Sequence, residues 1–177
     1  MSTHAAEALP RRIQRLYEKP WKLQARTSTA LRKYLDSQGR ITPHFTWSEF
    51  ACKDPQKTAV PAKLRANTVR LCWLLEKMRH KLGDVPMTIE SGYRTPEWNK
   101  HVGGAPDSRH THADAADFFS GQIDGWIAQG SASNRGDVLA IAERIFASGG
   151  VGNETSGTLH VDARGWKARF VTWIAAK

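Results

Sequence analysis

The sequence predicts an α+β domain, a small antiparallel sheet flanked by helices, from three observations. Apolar residues recur at helical spacing in "PAKLRANTVRLCWLLEKMRHKL" and again between about Gly136 and Ala147. Four short segments, "PMTIESGY", "ADAADFF", "TLHVDARG" and "ARFVTWI", read as strands. The two kinds interleave as helix, strand, helix, strand, helix, strand, strand, an order that suits one mixed layer pair.

Taken in order, the elements rest on local chemistry. Ile13, Leu16 and Tyr17, then Leu31, Tyr34 and Leu35, predict two short basic helices broken near Pro20. "DSQGRITPHF" has the Gly, Pro and polar content of a linker, so residues 1–43 are expected to form a basic helical segment with its linker, and 44–177 the main domain. Thr46 and Glu49 form a capping-box pattern that predicts a short helix through "WSEFAC". From Pro61 to about Leu82, Leu64, Val69, Leu71, Leu74, Leu75 and Met78 mark one helix face, with Gly83 as its stop. Thr95, Pro96 and Glu97 open a further helix with an N-cap, a proline at its first position and an acidic first turn. "GGAPDSRHTH" reads as a loop, and the Gly- and Ser-rich stretch from Gly121 to Asn134 leads into the helix whose apolar face holds Val138, Ile141, Ala142 and Ile145.

Composition narrows the function classes. With 177 residues, 40% apolar, the chain can bury one core, and 26 Lys and Arg against 17 Asp and Glu favour polyanionic partners. No segment approaches the ~18 apolar residues of a membrane span, and the N-terminus lacks the apolar region of a signal peptide. The expectation is a soluble cytoplasmic monomer that reaches any external target only after release. Cys52 and Cys72 exclude a four-cysteine metal site and sit among apolar residues, as buried thiols do, with a single bridge as the alternative.

Zinc takes imidazole nitrogen and carboxylate oxygen where thiolates are scarce, and a catalytic site keeps three protein ligands and one open position. His110 and Asp117 lie either side of a loop-to-strand passage, and a third ligand from "TLHVD" would complete such a set. Spacing alone leaves the assignment open, because a lone histidine on a strand is more often structural.

The segment "DSRHTHADAAD" resembles the SxHxxGxAxD signature of the zinc D-Ala-D-Ala carboxypeptidase family, which includes vancomycin-resistance dipeptidases, phage L-Ala-D-Glu endolysins and, by fold, the hedgehog signalling domain. Ser108, His110, Ala115 and Asp117 match position by position, and Ala113 stands where the family usually has glycine. "HFTWSEFACKD" resembles the opening of a phage-type peptidase branch, "SGYRTPEWNKHVGG" its arginine segment and "LHVDARG" its closing ligand strand. Together these cover about Phe45 to Phe170.

The resemblance implies a hedgehog-like fold, one zinc ion on His110, Asp117 and His160, and hydrolysis of peptide bonds in peptidoglycan stem peptides by a phage or prophage endolysin of the L-Ala-D-Glu type. D-Ala-D-Ala carboxypeptidase or dipeptidase activity is the nearest alternative; a non-catalytic zinc-containing wall-binding module is another. Nucleic-acid binding has no motif here. Arg94 is implied to hold the substrate carbonyl or its developing oxyanion, and positive charge to hold the protein on the anionic wall.

The remaining roles stay open. Ser108 either binds substrate or shapes its loop, and His112 lines the cleft or faces solvent. Relatives commonly place a carboxylate three positions before the last zinc histidine, but Gly157 stands there. Asp162 follows His160 by two and shares its strand face, as general base or as a partner that orients a ligand; Glu154 is the alternative base.

Overall fold

A computed structural model describes residues 29–121, 132–153, 158–165 and 171–174. Four helices, α1 (Thr29–Ser37), α2 (Arg65–Lys81), α3 (Pro96–His101) and α4 (Ala132–Ile145), accompany five strands: β1 (Thr88–Ser91), β2 (Ala115–Phe119), β3 (Gly150–Asn153), β4 (Leu159–Asp162) and β5 (Val171–Ile174). The strands lie in the order β1-β2-β4-β3-β5. Four of them are antiparallel neighbours, the α+β arrangement expected, and β5 joins parallel to β3.

The core lies between the sheet and the helices. Along α2, Leu71, Cys72, Leu75 and Met78 are fully buried, while Val69 and Leu74, with Leu64 just before the helix, pack at the margin. Val138, Ala142 and Phe146 meet the same core from the α4 side. From the sheet, Ile89, Ala116, Phe118, Val151 and Val161 face it. Burying an aliphatic or aromatic side chain of this kind contributes roughly 1.5–3 kcal/mol. Strand alternation then sends Asp117, His160 and Asp162 to the opposite face.

Three expectations change in the structure. "WSEFAC" forms a turn rather than a helix: the Thr46 hydroxyl donates to Glu49 Oε2 at 2.7 Å, and the same carboxylate oxygen accepts from Thr46 N at 2.7 Å. Glu49 thus makes its half of the capping box, onto Thr46 N, while the Thr46 hydroxyl donates to that carboxylate and the segment closes as a turn. "DSQGRITPHF" is a packed turn, because Ile41 and Phe45 are apolar enough to be buried, and Ile41 N donates to Phe45 O at 2.8 Å. Leu35 and Thr42, also before residue 43, are fully buried. Strand β3, "GVGN", was not expected: it lacks alternation, but it is hydrogen-bonded on both sides, to β4 and β5.

Thr95 caps α3 as expected, its side chain accepting from Trp98 N at 3.1 Å. Cys52 and Cys72 are both buried and unbridged, and burial pushes the Cys72 thiol well above its ordinary range. The first basic helix, the stretch 122–131, Glu154 and Gly157 lie outside the described residues.

Candidate metal centre

The sheet register assembles the site. Asp117 of β2 stands directly opposite His160 of β4, and Ser91 of β1 lies opposite Asp117 on the other side. Gly152 of β3 flanks His160 without adding a side chain. His110 arrives from a single 3-10 turn, Arg109–His112, which ends on Ala113 in the left-handed region at φ 56. That conformation explains why glycine suits the position, and the short alanine side chain tolerates it at a cost of about 1–2 kcal/mol.

His110, Asp117 and His160 are all buried, and one ligand atom from each lies within 4.8 Å of the others. His110 Nε2 is 3.2 Å from Asp117 Oδ1 and 3.3 Å from His160 Nδ1, and His160 Nδ1 is 2.6 Å from Asp117 Oδ1. A tetrahedral zinc with ligands at about 2.0–2.1 Å separates its donors by roughly 3.3 Å, so the first two spacings already suit the ion. The third is that of a hydrogen bond.

The outer atoms of each donor are also fixed. His110 Nδ1 is 2.7 Å from the Gly92 carbonyl, so its N–H donates there and Nε2 presents a lone pair to the centre. Asp117 Oδ2 accepts from Arg94 Nη2 at 2.7 Å, while Arg94 Nε donates to Ser91 Oγ at 2.8 Å. Arg94 N donates to His110 O at 3.1 Å, tying the arginine segment to the histidine turn. His160 Nε2 lies 3.8 Å from Asp162 Oδ2.

Arg164 Nε and Nη2 donate to the two Asp162 oxygens at 2.8 and 2.6 Å. Asp162 is fully buried and faces the outer edge of His160, away from the nitrogen that meets the other two donors.

Electrostatics follow from these contacts. Burial would raise the Asp117 carboxyl, but its contacts with the His110 and His160 imidazoles outweigh it and hold the group well below the usual range. Burial opposes the charge on His160, yet Asp117 and Asp162 override it and raise that imidazole to about 9. Asp162, buried as well, is kept low by Arg164 and His160. The two carboxylates on either side of His160 thus favour positive charge at the centre of the group.

The other expected site residues fall around this group. Ser108 precedes the 3-10 turn and its side chain caps nothing; its carbonyl accepts from the Thr111 hydroxyl at 2.7 Å. His112 is exposed and outside the donor group.

Sequence reading did not anticipate Gly92, Gly149 or Arg164. A Cβ on Gly92 would sit 2.7 Å from Phe50 Cα, and one on Gly149 would sit 1.7 Å from Asp162 O, so both backbones approach as only glycine permits. Gly92→Ala is expected to displace the carbonyl that orients His110 and weaken zinc binding by roughly 10–100-fold. Competition against a chelator of known affinity measures this, and an unchanged affinity would remove Gly92 from the site.

Residues 43–162, which include all three donors, match the family described as Peptidase M15. A 60-residue stretch is 45% identical to the zinc D-Ala-D-Ala carboxypeptidase of Streptomyces albus G. That stretch is 34% of this chain and 24% of the relative, so the chain spans about a quarter of that protein's length.

Proposed function

The chain belongs to the Peptidase M15 family, and on that premise we propose that it hydrolyses peptide bonds in the stem peptides of bacterial peptidoglycan with one zinc ion held by His110, Asp117 and His160. The observation that carries this reading is the buried His-Asp-His group, whose donor atoms converge within 4.8 Å inside the matched residues. Zinc at that position supplies Lewis acidity toward the scissile carbonyl and the attacking water.

The protein's own groups complete the machinery. Asp117 and the two imidazoles hold the ion, and the Gly92 carbonyl and Arg94 keep two of those donors aimed. Arg94, 19% exposed in its side chain, also offers positive charge at the edge of the centre for the substrate carbonyl oxygen. Ser108 and His112 border the same turn and contribute to substrate contact. The net charge of +9 supports adsorption to an anionic wall.

We assign the bond to the L-Ala-D-Glu class and the biological setting to a phage or prophage endolysin that acts as a monomer after release. The aligned carboxypeptidase from Streptomyces albus G favours a second reading, removal of a terminal D-alanine. Mass spectrometry of fragments released from purified peptidoglycan of defined chemotype separates them: cleavage inside the stem supports the first, free alanine the second. No fragment from either bond, at full zinc content, would leave a wall-binding module.

For Asp162 the geometry favours an orienting role, since it faces the outer edge of His160 and both its oxygens accept from Arg164. Asp162→Asn is expected to weaken zinc binding by roughly 10–100-fold while turnover at saturating zinc stays near wild type. Intact affinity with collapsed turnover would instead make Asp162 the proton acceptor.

A further inference from the structure

Hydrolysis needs a group that takes a proton from the attacking water and delivers one to the departing amine. The described strands carry three carboxylates: Glu90, Asp117 and Asp162. Asp117 belongs to the donor group, and Asp162 is turned behind His160 under Arg164. Glu90 is unused.

Its position is the work of a β-bulge. Ile89 pairs with Phe118 and Ser91 with Asp117, so Glu90 is the extra residue on β1. A bulge of this kind re-aims the side chain it inserts. Ile89 and Phe118 face the core, and Glu90 is exposed on the other side, where Asp117 stands.

Glu90 Oε2 accepts from the Thr158 hydroxyl at 2.7 Å. Thr158 lies two residues before His160, and alternation puts it on the His160 face. The hydrogen bond therefore draws a carboxylate from β1 across β2 toward β4, over the face that holds Asp117 and His160. Beside that bond, none of the ion pairs among the described residues takes Glu90 as its carboxylate.

We propose that Glu90 is the proton-transfer carboxylate of this centre, aimed by Thr158. It takes one proton from water as the water oxygen bonds to the scissile carbonyl carbon. As the C–N bond breaks, that proton passes to the leaving nitrogen. The carboxylate is regenerated, and one water is consumed per bond. This role rests on the peptidase reading above.

Glu90→Gln tests it, because the amide oxygen still accepts from Thr158 while the group can no longer take a proton. Turnover of a soluble stem peptide is expected to fall roughly 10²–10⁴-fold. Zinc content, melting temperature and calorimetric affinity for the same peptide are expected to stay at wild-type values, and Glu90→Asp to recover part of the rate. Wild-type turnover in Glu90→Gln would overturn the assignment, as would a loss of zinc, stability or peptide affinity that accounts for the lost rate. A wild-type protein that cleaves nothing fails at the peptidase reading itself, which the same assay distinguishes from a variant that cleaves normally.

Discussion

Replacing His110, Asp117 or His160 by alanine is expected to remove zinc and hydrolytic activity together. In the proposed centre each would supply one donor of three, and the remaining pair could not hold the ion in a facial set. The affinity loss should exceed the roughly 10–100-fold that follows removal of a partner outside the coordination sphere. Asp117→Ala carries a further consequence, since the same carboxylate accepts from Arg94 and contacts both imidazoles. Its removal leaves three cationic or protonatable groups crowded around an apolar methyl, so the metal-free variant should also melt below wild type. Metal analysis after exhaustive dialysis, together with turnover of a soluble stem peptide, measures the effect. Full zinc content in all three variants would end the assignment.

How much of this centre can be read without coordinates depends on what each residue does. The three donors and Arg94 sit in short segments whose residue types carry their chemistry openly, and the strand that presents His160, Leu-His-Val-Asp, alternates plainly enough to be recognised. Helix α2 is legible for the same reason: its apolar residues return at every turn. By contrast, β3 is Gly-Val-Gly-Asn, and glycine has no side chain with which to signal a strand. Its strand character comes from neighbours on both sides, which local sequence does not contain.

The partners outside the donor set are obscure for a related reason. Gly92 acts through a carbonyl, which every residue possesses, and its need for glycine arises from Phe50, more than forty positions away. The roles of Asp162 and Glu90 turn on orientation. Two residues on one strand share a face, but only geometry tells which edge of His160 meets Asp162, or that a bulge turns Glu90 toward Thr158. Thr46 and Glu49 teach the converse, since their capping pattern is spent on a turn that closes without a helix.

Arg94→Lys is expected to lower turnover by roughly ten- to a thousandfold while most zinc stays bound. The guanidinium reaches Ser91 Oγ through Nε and Asp117 Oδ2 through Nη2, so its plane is fixed by two acceptors at once. A lysine ammonium keeps the charge but is a single point on a flexible stem, and it cannot hold both contacts in that fork. Two losses should therefore separate. Slackening of Asp117 costs zinc affinity, by no more than the roughly tenfold lower bound for an outer partner, and saturating zinc restores it. Misplacement of the positive charge that meets the substrate oxygen costs turnover, and added zinc does not restore that. Measuring zinc affinity by competition and turnover at saturating zinc on the same preparation resolves the two contributions. If turnover at saturating zinc equals wild type, Arg94 serves only to hold Asp117, and the oxyanion must be met by another group.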